Sequence, residues 1–416
     1  MIKLKGNTKI ILYSMLFFPI LGHIYLALNF PKTISVFFVF VVFIWGLIYV
    51  IKYNKYIEIP KFLIPLALYM IYIPIRSHLS VLPNRVVLTQ IYYDIIQVTI
   101  FLTLLIVYNT NFNKKFIDIS IKIFKITIVI SAIVSIIQVF YPTFIGYRQF
   151  EYENIYSIRR SSIFTYEYLG LGFSYIPLLS ITIGYLFYLK NKIPSFYLII
   201  GGISAILSNT RFIIIGFILL SMQILFANKN NIIKNVKFII LFISVIFILL
   251  YIISKIGYNL NEWYNERLFA EGSITETTRY KAIDNFLIFF PKYWIFGNGE
   301  YNSEEVKYAS NAIGSSQIHV GYLAHLVSYG VIGSFFLFSF WFLLAKKLYK
   351  TAKVTNYWGS FFAFLTYLFA QLTLVHYSIF FYGLIFAFIF DKYINDQYLI
   401  SQNPKQNYEY KKVSNE

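Results

Sequence analysis

The chain has no cysteine in 416 residues. Composition therefore excludes disulfides, a thiol nucleophile and cysteine-based metal sites, and it carries no signal of redox compartment. Histidine is scarce too. The five, His23, His78, His319, His325 and His376, include no pair at metal-ligand spacing with carboxylates nearby, so neither a metal nor any other cofactor is expected. Charge is sparse at 13% of residues, and the 18 acidic side chains are outnumbered by 36 basic ones. What remains is apolar: 58% hydrophobic and 21% aromatic, far from the composition of water-soluble domains. The expected class is an all-α polytopic integral membrane protein, because in lipid a helix satisfies its own backbone N–H and C=O groups.

Apolar windows of roughly 20 residues fall near 10–29, 33–52, 60–76, 86–108, 118–140, 168–189, 196–208, 211–227, 237–254, 321–345, 357–374 and 377–391. Twelve spans result; the seventh is short and the last two read as a tight hairpin broken near His376. The lysine-rich start MIKLKGNTK leads into the first window with no small-residue cleavage site, which reads as an uncleaved first helix and not a signal peptide. A cytoplasmic amino terminus places KYNKYIEIPK, NTNFNKK, KNK, NKNNIIKNVK and KKLYKTAK on one side, as the positive-inside rule requires. The chain then divides into spans 1–254 with an outer loop near 141–167, a large outer loop 255–320, spans 321–391 and a polar cytoplasmic tail 392–416. The net charge of +18 is dispersed between apolar runs instead of forming one patch, so nucleic acid is not an expected partner, whereas the bilayer is.

On this threading 23 of 28 lysines lie inside, while all eight arginines (Arg76, Arg85, Arg148, Arg159, Arg160, Arg211, Arg267, Arg279) fall on or near the outer face. Topology alone would treat both cations alike. Arginine differs in its planar fork of donors, which grips phosphate bidentately, so the outer set points to an anionic ligand such as a lipid diphosphate; simple decoration of the outer loops is the competing account. Arg211 is the clearest case. It interrupts ILSNTRFIIIGFILL, where a charge at mid-membrane would cost at least ~2.5 kcal/mol.

Three outer stretches could hold chemistry. In YRQFEYENIYSIRRSSIFTYEYLGLGF, Arg159 and Arg160 precede Gly170 at the entry to a span. In SITETTRYKAIDNFLIFFPKYWIFGNG, Ser273 and Glu276 form a capping box, and the helix they start is expected to stop near Phe290, before Pro291. Arg279 shares its apolar stripe with Ile283, Phe286 and Phe290, so it either points into a cavity or snorkels over apolar surface; Gly297 and Gly299 follow. In GSSQIHVGYLAHLVSYGVIGSFF, His319 stands before a span, with Tyr322 one turn on and Gly330 and Gly333 where helices could approach closely. A neutral imidazole there can take a proton from a sugar hydroxyl near pH 7, and Tyr322 could stack on a glycan.

These stretches resemble the O-antigen ligase and O-antigen polymerase superfamily of bacterial envelope glycan assembly. The likeness rests on RRSSIFTYEYLG before a span, SNTRF between two spans, the large loop with TTRY, then W and GNG, and finally HVGYLAHLVSYGVIG, over roughly residues 150–345. Val320 stands where the family commonly has Asn, and Ser328 where it commonly has an acidic residue. The resemblance implies a metal-independent glycosyltransferase using undecaprenyl-diphosphate-linked oligosaccharide at the outer face of the bacterial cytoplasmic membrane. By it Arg211 and Arg279 hold the diphosphate, His319 activates the acceptor, Arg159 and Arg160 assist, and Gly170, Gly297, Gly299 and Gly330 are structural. A chain-length regulator and a flippase are possible partners. Polymerisation of O-antigen or capsule repeat units is the favoured reaction, transfer to lipid A core or another acceptor the alternative, and a lipid-linked glycan flippase or transporter the alternative from another class. The last is disfavoured because Asp94 is nearly alone among ionisable groups inside the spans.

Overall fold

The computed structural model describes residues 2–3, 33–78, 87–140, 168–207, 211–228, 231–255, 278–297, 320–372 and 381–402. Among these residues the architecture is all-α. The helices are α1 (Thr33–Tyr53), α2 (Ile64–His78), α3 (Val87–Asn109), α4 (Lys114–Phe140), α5 (Tyr168–Lys190), α6 (Ser195–Leu207), α7 (Arg211–Ser221), the short α8 (Gln223–Ala227), α9 (Ile232–Lys255), α10 (Thr278–Tyr293), α11 (Gly321–Thr355), α12 (Gly359–Ala370) and α13 (Phe381–Gln402). The one extended pairing is parallel, Ile2 with Thr110 and Lys3 with Asn111. Each apolar window from residue 33 onward coincides with a helix; the window 10–29 lies outside the described residues.

Two helices, Lys114–Gln138 and Gly321–Thr355, are long and apolar enough to cross a bilayer, and shorter apolar helices accompany them. The outward faces of α1 and α9 carry exposed Ile44, Ile48, Ile51, Ile240, Phe247 and Ile248. In water such a surface would associate; against acyl chains it is at home.

The turns at one end use asparagine. Asn113 Oδ1 accepts from the Phe116 amide at 2.9 Å and Asn231 Oδ1 from the Lys234 amide at 3.0 Å, capping α4 and α9. Asn356 adopts the left-handed conformation (φ 61°) that ends α11, and its Nδ2 donates to the Ala227 carbonyl at 3.0 Å. The lysine-bearing loops thus contain the capping residues that stop and restart the helices.

In the core, α5 and α12 meet backbone to backbone. Ser180 and Gly184 are one turn apart on α5, as are Gly359 and Ala363 on α12. Ser180 Oγ donates to the Gly359 carbonyl at 2.9 Å, and a Cβ on Gly184 would come within 3.0 Å of the Gly359 backbone. This is a small-xxx-small contact on both partners. Gly184→Val is expected to force the pair apart and destabilise by about 1–3 kcal/mol, seen as a lower unfolding temperature in detergent; an unchanged temperature would mean that the crossing tolerates a side chain.

Two expectations change. The α10 helix runs through Pro291 to Tyr293 and does not stop near Phe290; proline sits in the last turn, where the chain is leaving the helix anyway. The α13 helix continues to Gln402, into the stretch read as a tail. Asp94 is also less solitary than the windows implied. Asp391, 1% exposed, pairs with Lys347, whose ammonium lies 4.8 Å from the Phe388 ring centroid. The window ending at 345 missed this pair because α11 extends to Thr355.

Candidate functional site

The α7–α8 run begins at Arg211 and ends at Ala227, which Asn356 contacts at the asparagine end of the bundle. Arg211 therefore opens α7 at the opposite end, and the α11 start lies there as well. The backbone of Gly321, the first α11 residue, donates to the Gln371 carbonyl at 2.8 Å, just past the end of α12. That bond satisfies the first of the amides left open at the helix start. Val320 is the N-cap residue of α11 and forms no side-chain cap bond, whereas an asparagine there could supply one.

Nine residues further, α11 breaks. Gly330 has φ 63° and ψ −171°, a conformation open essentially to glycine alone. The break leaves amides without their intrahelical acceptors, and the strand of chain leaving α10 fills the need: Val331 N donates to Trp294 O at 2.7 Å and Ile332 N to Ile295 O at 3.2 Å. Gly297, at φ 75°, meets this kink backbone to backbone. A Cβ on Gly297 would come within 3.0 Å of the Ser328 carbonyl, and one on Gly330 within 3.0 Å of the Ile295 carbonyl. The two glycines come from separate motifs, GNG and the stretch after His319. Gly330 thus receives a loop, not a neighbouring helix as its spacing implied; Gly333 meets the Tyr72 ring of α2.

Side chains of α2 complete the junction. Tyr72 Oη donates to Phe296 O at 2.6 Å and lies 3.1 Å from Tyr329 O. Arg76 donates from Nε to Gly297 O at 2.8 Å and from Nη2 to the same oxygen. Beside them opens a cleft of about 560 Å³ lined by Ile75, Arg76, Lys292, Trp294 and Phe296 among others. Its walls are mostly apolar, with Trp294 and Phe296 both more than half exposed, and among the described residues its cations are Arg76 and Lys292.

On α10, Phe289 is buried, and Phe286 and Phe290 stack at 4.7 Å between centroids, while Ile283 is exposed. Phe286 and Phe290 pack half-buried against the core as expected, so of the stripe's described side chains Ile283 is the one that departs from it. Arg279 is the second residue of α10, and α10 packs along α11. The side chains of Arg211 and Arg279 lie outside the described residues, as do Arg159, Arg160, Gly299 and His319 altogether; Gly170 lies in the first turn of α5. Tyr322 is described: its hydroxyl donates to Leu368 O at 2.7 Å and its ring packs on Trp341 at 5.7 Å and on Phe338 at 5.8 Å. That side chain joins α11 to α12, so no glycan contact is carried forward for it. Arg76 and Tyr72 were not singled out from sequence; a cation and a phenol four residues apart near the end of an apolar helix were the available signal.

Residues 196–338 match the family model described as O-antigen ligase. No curated protein matches the chain. The superfamily resemblance read from the motifs therefore holds over about a third of the length, a segment that contains Arg211, Arg279, Gly297, His319 and Gly330. The Arg159–Arg160 motif lies outside it. With the apolar helices, the match supports a membrane protein of the O-antigen ligase or polymerase type, a type whose enzymes are glycosyltransferase-like.

Proposed function

We propose that the protein joins undecaprenyl-diphosphate-linked oligosaccharide repeat units into O-antigen or capsular polysaccharide. The observation that carries the reading is the family match over 196–338, because that one segment holds both proposed diphosphate ligands, Arg211 and Arg279, and the proposed base, His319. The fold adds support, since the α7 and α11 starts lie at one end of the bundle. Twelve spans in the bacterial cytoplasmic membrane, with both termini cytoplasmic, would set that end at the outer surface. There a flippase would deliver the donor and a chain-length regulator could act.

The chemistry is a direct displacement. An acceptor hydroxyl gives its proton to the His319 imidazole as its oxygen attacks C1 of the donor sugar. The bond from C1 to the diphosphate oxygen breaks with its electron pair, and undecaprenyl diphosphate departs between Arg211 and Arg279. Preorganised guanidinium groups in a water-poor site stabilise that developing charge by several kcal/mol, with no metal needed. Arg159 and Arg160 would assist from the 141–167 loop.

The second reading, transfer of a finished glycan to lipid A core or another acceptor, is favoured by the description of the matching family as a ligase. One experiment separates the two. Purified protein given a single lipid-linked repeat unit as its only glycan is expected to make lipid-linked products of two or more units; product that appears only when a second acceptor is added would identify a ligase.

A further inference from the structure

We infer that Tyr72 and Arg76 on α2 are positioning residues for glycosyl transfer, clamping the segment that leaves α10 to the α11 kink so that α10, which bears Arg279, is held in register with the α11 start, next to His319. The inference rests on the glycosyltransferase reading above.

The carbonyls around the junction divide between two sets of donors. Those of Trp294 and Ile295 take the Val331 and Ile332 amides freed by the break at Gly330. Those of Phe296, Gly297 and Tyr329 face α2, where Tyr72 Oη and the Arg76 guanidinium meet them. Two of these, Phe296 and Gly297, belong to the segment that leaves α10, and the third to α11. A single helix therefore ties both partners together. The tie matters because 22 residues separate Gly297 from the Val320 cap, too many for the covalent connection to fix α10 against α11. The junction sits nine residues into α11, roughly 14 Å along its axis from the start, close enough for its register to set that end.

Arginine suits the task. Nε and Nη2 of one planar guanidinium both reach the Gly297 oxygen, which lysine, a point donor on a flexible stem, cannot do. The same geometry argues against Arg76 acting chiefly as another diphosphate ligand, since two of its donors are aimed at a backbone carbonyl.

The test uses the absence of cysteine. Trp294→Cys with Val331→Cys, in residues already joined by a backbone hydrogen bond, introduces the only two thiols in the chain, which a disulfide or a short bismaleimide can link. In purified protein with a lipid-linked repeat unit, Arg76→Ala is expected to lower kcat about 10- to 100-fold, the scale of a misplacement of about 1 Å, with KM for the lipid-linked donor within about twofold. Arg76→Lys should fall between. Cross-linking the two cysteines in the Arg76→Ala background should restore kcat to within about threefold of the linked protein that retains Arg76. Tyr72→Phe, a gentler change if Arg76→Ala fails to accumulate, should show the same split between kcat and KM. Apart from activity, the rate at which the cysteines link should fall several-fold when Arg76 is removed. A rise in KM with kcat retained, a complete cross-link without rescue, or linking rates independent of Arg76 would each overturn the clamp. A wild-type protein that transfers only to a second acceptor would overturn the polymerase reading and leave the clamp to be judged on that transfer by the same ratios.

Discussion

Gly330→Val is expected to be strongly destabilising. Valine at φ 63° and ψ −171° is strained by about 1–3 kcal/mol, and its Cβ would overlap the carbonyl of Ile295 and the amide of Gly297, both backbone atoms that cannot swing aside. Overpacking of this kind adds a further 1–3 kcal/mol. A total of about 2–6 kcal/mol is large against the 5–15 kcal/mol by which a typical domain is stable. Gly297→Val, at φ 75° against the Ser328 carbonyl, should follow closely. Gly333→Ala is the contrast: its backbone is helical, so its Cβ crowds the Tyr72 ring and the Tyr329 Cβ but adds no strain in φ. Unfolding temperatures in one detergent should therefore rank wild type, Gly333→Ala, then Gly330→Ala, with Gly330→Val lowest or absent from membranes. If Gly330→Ala is as stable as wild type, the kink is not held by the loop.

The second large effect is on chemistry. His319→Ala should lower kcat about 10²- to 10⁴-fold if the imidazole is the base that accepts the acceptor proton. Arg211→Ala and Arg279→Ala should each lower it about 10²- to 10³-fold if they stabilise the departing diphosphate. Residues that act as one unit lose activity together, so Arg211→Ala combined with His319→Ala should fall well short of the product of the single losses. Arg211→Lys keeps the charge and loses the fork, and should recover only part of the loss. Initial rates on a lipid-linked repeat unit, at matched amounts of folded protein, read all of these. Wild-type rates in Arg211→Ala would remove that arginine from the site.

The helices were the most legible part of the molecule, because apolar windows of bilayer length leave few alternatives to a self-satisfied helix. The match over 196–338 was legible too, since SNTRF, TTRY, GNG and HVGYLAHLVSYGVIG are local strings. The errors came where tertiary contacts decide. Pro291 stops a helix in isolation, yet in the last turn of α10 its missing amide removes only one bond near a frayed end. Gly330 looked like a seat for another helix; its sign of φ, and the loop that fills the break, depend on residues more than thirty positions away. The hydroxyl bond from Tyr322 to Leu368 O likewise joins residues that no local spacing pairs. The Gly184–Gly359 crossing was not singled out from sequence, although small residues one turn apart on both helices were its signal. Arg76 was visible only as one of eight arginines: no local pattern announces that its partner is the carbonyl of residue 297.

The most direct test of the proposed site is the glycan ladder from membranes of a strain lacking its own copy, complemented with wild type, Arg211→Ala, Arg279→Ala or His319→Ala at equal membrane levels. The account predicts a ladder of repeat units for wild type and only single-unit or lipid-linked material for each variant. Variants that still ladder would contradict it, placing the chemistry away from Arg211, Arg279 and His319.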